Sequence, residues 1–280
     1  MLLLKQPAVL PGFKLSLGIS VLMLSLMILL PFAMLFLTVS GMGFAGFIRT
    51  ITEPRILAAI SLTLRISLYA MLTNVVIGTL VAWVLQRYSF WGRNIVNALV
   101  DLPFALPTAV MGVVLATLYA PNGWIGKKLM LMHIQVAFTP LGIWLALVVV
   151  SLPFIVRSVQ PVLAELSPEY EEAAVMLGAS RWIIWWRIIL PELLPALVTG
   201  AGMAFARATG EYGSVIFIAG NIPFKSEILP LIIASKFEIF DIQGAAAVAV
   251  FMLLISFSVL FALNLWQWYL NYHGEHHEQK

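Results

Sequence analysis

Long stretches without Asp, Glu, Lys or Arg alternate with short polar segments along this chain of 280 residues. A helix that crosses the hydrocarbon core of a bilayer needs about 20 mainly apolar residues. The apolar stretches predict six such helices, and an even number of crossings leaves both termini on one side of the membrane. The predicted spans are residues 15–39, 62–86, 96–119, 136–158, 193–219 and 243–270.

The composition agrees with lipid as the main solvent. Hydrophobic residues make up 61% of the chain and charged residues 10%, whereas soluble domains average about 45–50% and about 25%. We therefore expect an all-α membrane protein with a single transmembrane domain over residues 1–280. The formal net charge of +3 is spread over several loops and forms no basic stripe, so binding to nucleic acid is not predicted. With no cysteine and with histidines mainly in the C-terminal tail, no metal site is predicted either.

The fifth predicted span differs from the others because it contains the charged residues Arg207 and Glu211. A charge at the centre of a membrane helix costs about 2.5–3.5 kcal/mol on insertion scales. The two side chains are four residues apart, so they either pair with each other or face a watery cavity. We favour a structural ion pair near a gate over direct contact with a transported solute.

The third predicted span contains Pro103 and Pro107, which should bend it by removing backbone hydrogen bonds. The fifth span carries Gly210 and Gly213 near its end. A bent helix beside a glycine-rich helix is our hypothesis for a gate. Asp101 is interpreted as a helix-terminal or packing residue. The candidate pathway residues are Pro103, Pro107, Arg207, Gly210, Glu211 and Gly213.

The segment between the fourth and fifth spans, residues 165–191, has the local pattern of a short helix. Ser167 can cap the first turn, Pro168 suits the first helical position, and Gly178 suits the left-handed residue that ends a helix. A second, amphipathic helix is predicted to begin after Ser180 and to stop at Pro191. Its three tryptophans should share one face, since they are spaced i, i+3 and i+4: Trp182, Trp185 and Trp186.

The same segment resembles a known motif. It fits the pattern E-A-A-x-x-x-G, nine residues, then I-x-L-P, which is the EAA loop of ABC-importer permeases. The residues that this resemblance places at the coupling site are Glu172, Ala173, Ala174, Gly178, Ala179, Ile188, Leu190 and Pro191. The resemblance implies a type I permease fold in which a cytoplasmic coupling helix docks on an ATPase and drives alternating access. It also implies that both termini are cytoplasmic.

We expect no catalysis in this chain, because its one Lys-Ser pair, Lys225-Ser226, lacks the glycine-rich loop that holds phosphate. No cofactor is predicted here. The resemblance instead assigns ATP and Mg to the partner ATPase.

Further stretches resemble one branch of the family, the T-type permeases of sulfate/thiosulfate importers. They are Leu10–Phe13, Asp101–Val110, Val156–Leu163 and Gly210–Ile222. A molybdate or tungstate importer is the alternative within the family, and a secondary anion transporter is the alternative from another class. The latter should show internal repeats and proton-carrying or sodium-carrying acidic residues.

This branch implies a multi-pass protein of the bacterial inner membrane and a set of partners. These are a second permease (a W-type relative or a copy), a homodimeric ATPase, an extracytoplasmic sulfate-binding protein and the lipid bilayer. The segment Asn221–Gln243 is the first candidate for a dock of the binding protein, with a plain structured loop as the alternative.

Overall fold

The structure is a computed structural model that describes residues 13–275, and no strand occurs among these residues. The all-α class is thus confirmed. The motif residues Leu10, Pro11 and Gly12 lie outside the described range. In chain order the elements are α1 (Phe13–Ser40), α2 (Gly43–Ile51), α3 (Pro54–Arg87), α4 (Arg93–Ala105), α5 (Thr108–Tyr119), α6 (Gly126–Met130), α7 (Pro140–Glu165), α8 (Pro168–Met176), α9 (Arg181–Ile184), a π-helical turn (Trp185–Ile189), α10 (Leu190–Thr209), α11 (Val215–Ile218), α12 (Leu229–Glu238) and α13 (Ile242–Glu275).

Within the described range, five helices are long and apolar enough to cross a membrane. They are α1, α3, α7, the continuous helix Arg181–Thr209 and α13. A sixth crossing is present if α4 and α5 count as one broken span. The predicted spans 15–39, 62–86 and 243–270 fall within α1, α3 and α13, and 136–158 overlaps α7.

The predicted third span, 96–119, is two helices, because the chain bends by 113° between α4 and α5. Leu106, at the bend, is extended, with φ −90° and ψ 141°. A proline ring keeps the preceding residue out of the helical region, and Pro107 has no N–H with which to continue the hydrogen-bond ladder. Pro103 lies inside α4 without ending it. The break is therefore set by Pro107.

The predicted fifth span, 193–219, is shifted along the chain. The helix ends at Thr209, and the chain turns before the short α11. The carboxylate of Glu211 accepts a hydrogen bond from the backbone N–H of Ser214 at 2.8 Å. Such a local side-chain bond offers the backbone an alternative to the helix ladder, so the helix does not continue to residue 219.

The predicted helix stop at Pro191 is wrong, because one helix continues from Arg181 through this proline to Thr209. Pro191 stands in the first turn of α10, directly after the π-helical turn. A π-helical turn is wider than an α-helical turn. This widening accommodates a residue that cannot donate a backbone hydrogen bond and whose ring would clash with an ordinary preceding turn.

The centre of the molecule is formed by α3, α7 and α10, which pack closely because small residues lie at their contacts. A Cβ added to Gly78 of α3 would lie 2.8 Å from the Ile155 Cβ of α7. A Cβ added to Gly200 of α10 would lie 3.0 Å from the Ser158 Cβ of α7. Helices in lipid associate through such close packing, since lipid tails are as apolar as the side chains. By contrast, none of the most apolar window of α1 is buried.

One buried polar contact also joins α3 to α7. The Asn74 side-chain amide donates to the Val148 carbonyl oxygen at 3.0 Å and to the Ser151 hydroxyl at 2.9 Å. Asn74 and Ser151 are both fully buried. Hydrogen bonds between membrane helices contribute about 0.6–1.7 kcal/mol each.

We expect Asn74→Ala to destabilise the purified chain by about 1–3 kcal/mol, because it removes both of these bonds. Denaturation by SDS in mixed micelles would measure this. The matched control is Thr73→Ala, since that hydroxyl bonds to the Tyr69 carbonyl of its own helix. Equal effects of the two substitutions would contradict the assignment of Asn74 as an interhelical contact.

Candidate functional site

The first candidate region is α8 with its flanking residues. The Ser167 hydroxyl accepts a hydrogen bond from the Glu169 N–H at 3.3 Å, and Pro168 occupies the first helical position. At the other end, Gly178 adopts φ +83°, and the Ala179 N–H donates to the Ala174 carbonyl at 3.0 Å. The local pattern predicted from the sequence is thus the pattern of the structure.

This short helix is exposed almost completely. It contains no buried residue, and apolar side chains at its end are 57%, 87% and 89% exposed at Val175, Met176 and Leu177. Exposed apolar clusters of this kind mark surfaces that another molecule covers. Of the other predicted coupling residues, Glu172, Ala173 and Gly178 are exposed, whereas Ala174 and Ala179 are partly buried.

The segment after α8 begins a long helix that carries the remaining motif residues. The Ser180 hydroxyl accepts from the Ile183 N–H at 3.4 Å, as a helix cap does. Ile188 and Leu190 pack against a core cluster of α3, α7 and α10, and Pro191 is exposed.

The three tryptophans of this helix do not act as one face. Trp182 and Trp186 are exposed and meet edge to face at 5.5 Å. Trp185 turns toward α3 and meets Trp83 edge to face at 5.2 Å. The π-helical turn that begins at Trp185 changes the angular spacing, so the i, i+3, i+4 argument for an α-helix fails here.

The second candidate region lies where the break between α4 and α5 packs against the turn after α10. A Cβ added to Gly213 would lie 2.1 Å from the Thr108 hydroxyl oxygen. A Cβ added to Gly112 of α5 would lie 2.3 Å from the Ser214 carbonyl oxygen. The non-helical turn after α10 therefore meets the start of α5 in close contact, and glycine is what allows the contact.

The turn is held by a buried carboxylate. The Glu211 side chain is 2% exposed and pairs with the partly exposed guanidinium of Arg207. One carboxylate oxygen also accepts from the Ser214 N–H and hydroxyl, at 2.8 Å each. The structure thus forms the ion pair that the i, i+4 spacing favours. Gly210, by contrast, has space for a side chain, since a Cβ there would approach no atom closer than 3.7 Å.

The structure brings together Pro107, Gly213 and the Arg207–Glu211 pair, whereas the coupling residues lie near the opposite end of the long helix. Arg181 and Thr209 bound 29 helical residues, a length of about 40 Å at 1.5 Å per residue. The two candidate regions are therefore separate sites connected by one continuous helix.

A charged cluster that sequence reasoning missed joins α4 to α7. Arg157 donates to both carboxylate oxygens of Asp101, at 2.8 and 2.5 Å. It also donates to the side-chain oxygens of Asn97, at 2.9 Å, and Gln160, at 2.5 Å. Asp101 is not helix-terminal, because it lies inside α4, and its ion pair with Arg157 packs α4 against α7. The signal available in the sequence was one acidic and one basic residue within predicted neighbouring spans.

The segment Asn221–Gln243 is fastened to the helices by charged contacts. Buried Glu227 accepts two hydrogen bonds from Arg55, at 2.8 and 2.6 Å. Lys236 donates to Asp241 at 2.7 Å, and this hydrogen bond holds the pKa of the Asp241 carboxyl below its usual value. Phe240, in contrast, is 86% exposed.

Comparison with known proteins agrees with these features. Residues 74–267 match the model of the family described as binding-protein-dependent transport system inner membrane component. The chain is 49% identical over 259 residues to the sulfate transport system permease protein CysT of Escherichia coli, covering 92% of this chain and 94% of that protein. It is 46% identical over 249 residues to the protein of the same name in Synechocystis, covering 89% and 87%. The resemblance stated from the EAA loop is thereby confirmed.

Solved structures share the fold. A bacterial alginate ABC transporter, solved with a pentasaccharide-bound periplasmic protein, aligns with a TM-score of 0.73 at 18% identity, covering 90% of this chain and 93% of that one. The MetNI methionine ABC transporter in an inward-facing conformation aligns with a TM-score of 0.58 at 20% identity, covering 76% and 94%. The fold is that of type I ABC importer permeases, as the EAA motif implies.

The contact between the two broken segments predicts different tolerance at two glycines. Gly112→Ala should destabilise the chain by about 1–3 kcal/mol, the usual cost of overpacking, because its Cβ would meet backbone atoms of Ser214. Gly210→Ala should be tolerated, since space is available there. Thermal unfolding of the two purified variants would measure the difference. A Gly112→Ala variant as stable as Gly210→Ala would show that the contact is not close.

Proposed function

Because the chain belongs to the family of binding-protein-dependent transport system inner membrane components, we propose that it forms half of a pathway that imports sulfate or thiosulfate. As a permease subunit of an ABC importer it is not an enzyme, since ATP hydrolysis takes place in a separate subunit. The observation that supports sulfate as the transported anion is the identity of 46–49% with permeases named for sulfate transport, over most of each chain. A molybdate or tungstate importer remains the second candidate, and family membership argues against a secondary transporter.

We place the ATPase on α8. The exposed apolar end of this helix, Val175 to Leu177, needs a covering partner, and the small residues Ala173 and Gly178 allow a close approach. The proposed contact set on this surface is Glu172, Ala173, Ala174, Gly178 and Ala179. Ile188 and Leu190 act behind it, where they join the coupling loop to the core, and the exposed Pro191 follows them at the start of α10. ATP and Mg belong to the ATPase, which is proposed to be a homodimer.

This docking sets the orientation. The end of the molecule that carries α8 is cytoplasmic, and the break between α4 and α5 lies toward the outer side. With six crossings, both termini are cytoplasmic, and the membrane is the bacterial inner membrane.

We place the pathway beside two segments that interrupt the long helices, the bend between α4 and α5 and the turn after α10. Backbone that is not helical occurs at membrane depth only where protein buries it or where it lines a water-filled cavity. The bend at Pro107 and the turn from Gly210 to Gly213 are proposed to meet this condition, because Glu211 in the turn is buried and Arg207 beside it is partly exposed. Rigid-body motion of the helices that carry these segments would open and close the passage. A second permease, a W-type relative or a copy of this chain, supplies the other half.

The extracytoplasmic sulfate-binding protein is proposed to dock at the segment Asn221–Gln243. The ion pairs of Glu227 and Asp241 hold the segment in a fixed shape. The exposed aromatic residues Phe224 and Phe240 are available for contact. A fixed surface with exposed aromatic groups is typical of a binding site for another protein.

Uptake of radiolabelled sulfate tests the function, in cells whose sole sulfate importer contains this chain. Thiosulfate in excess should suppress uptake, and molybdate should have little effect. Gly178→Asp should abolish uptake, because it places a charge and a strained backbone on the proposed ATPase surface.

The matched control is Gly92→Asp. Gly92 has φ +88° and, like Gly178, no atom within 4 Å of an added Cβ, so the strain is the same at a position outside the coupling loop. Equal losses of sulfate uptake in the two variants would contradict the assignment of this loop as the site that docks the ATPase. Suppression of uptake by molybdate instead of thiosulfate would support the assignment as an importer and would contradict sulfate or thiosulfate as its substrate.

A further inference from the structure

The coupling helix α8 has little packing with which to transmit force. It buries no residue, and a cavity of about 340 Å³ lies beside it, lined by Tyr170 of α8, Glu165 and Val162 of α7, and Ile188 and Glu192. Short linkers join α8 to α7 on one side and to α9 on the other. A helix on two linkers beside an empty space can rotate when it is pushed, and rotation would not move the transmembrane helices.

Ala174 of α8 packs, partly buried, against the core cluster of α3, α7 and α10. One ion pair adds a polar connection from α8 to α3 that also opposes such rotation. Arg87, the last residue of α3, donates to the Glu171 carboxylate at 2.6 Å. The two residues are 84 positions apart in sequence, so the contact connects α8 to a helix to which it has no short covalent link. The side chains are 18% and 29% exposed, so both partners are largely shielded from water.

Contacts other than the ion pair also hold Arg87 in position. Its guanidinium carbon lies 5.4 Å from the centre of the Trp83 ring, and it also donates to the Leu166 carbonyl oxygen at 3.4 Å. Trp83 in turn packs against Trp185. Arg87 is thus fixed by α3, by the end of α7 and, through Trp83, by the helix that leads into α10.

We propose that the Arg87–Glu171 ion pair is a strut that makes α8 move as one body with α3, α7 and α10. The proposal rests on the proposed docking of an ATPase at α8. It assigns Arg87 and Glu171 as positioning residues, which contact neither nucleotide nor solute. Because the pair joins a surface helix to the end of α3, its loss should leave the packing of the long helices intact, and the effect should appear in the coupling of ATP hydrolysis to transport.

The first test uses the complete importer in proteoliposomes and measures sulfate transported per ATP hydrolysed. Glu171→Gln should lower this ratio by about fivefold, the lower end of typical coupling effects, while the thermal stability of the complex stays unchanged. The control is Glu169→Gln, which alters an exposed carboxylate of the same helix outside the ion pair. The charge swap Arg87→Glu with Glu171→Arg should restore part of the lost ratio. Equal ratios for Glu171→Gln and Glu169→Gln would overturn the proposal.

The second test does not depend on the solute. Because the chain has no cysteine, spin labels can be attached at Ser89→Cys, just after α3, and at Glu169→Cys, in the first turn of α8 and outside the proposed ATPase surface. The distance between them should stay narrow and unchanged when the complex is trapped with ATP and vanadate. In the Glu171→Gln background it should broaden or shift. An unaltered distance distribution in the Glu171→Gln background would overturn the proposed role of the ion pair. A wild-type importer that carries no sulfate would overturn the proposed anion instead, and it would leave this distance measurement valid.

Discussion

The requirement that every backbone N–H and C=O be satisfied without water governs this molecule. It accounts for the helical character of the described chain and for the close contact between the start of α5, just after the bend at Pro107, and the turn after α10. Each break shields the other, and the shielding needs direct contact. That contact is possible because Gly112 and Gly213 have no side chain. The most irregular part of the molecule is therefore also one of its most tightly packed parts.

The same low-dielectric solvent explains the pairing of charges. Asp101 meets Arg157, Glu211 meets Arg207, and Glu227 meets Arg55. A lone charge in lipid is costly, and each pair also joins or shapes an element: α4 to α7, the turn after α10, and the segment before α12 to α3. Charges thus fix the positions of segments that small-residue packing alone would leave adjustable.

Much of this architecture could be predicted from local sequence. Apolar length located the long helices, and Ser167, Pro168 and Gly178 located the ends of α8. The failures have a common cause, since they involve interactions between distant segments or unusual helical geometry. The shift of the fifth span depends on a bond from Glu211 to the Ser214 backbone, and passage through Pro191 depends on a π-helical turn. The partners of Asp101 and Glu171 lie 56 and 84 positions away, and a pattern of local spacing contains no information about them.

An arginine whose charge is balanced by a carboxylate suits a pathway that must release sulfate, a dianion, as well as admit it. A free guanidinium in a low-dielectric passage would attract sulfate strongly, and conduction requires binding that is weak enough for release. Arg207 is paired with Glu211, so the net charge at this point of the proposed pathway is close to zero while donor groups remain. With the fixed charge balanced, the proposed function leaves selectivity to the extracytoplasmic binding protein. It leaves the work of moving the anion to the motion that α8 is proposed to transmit to the core helices.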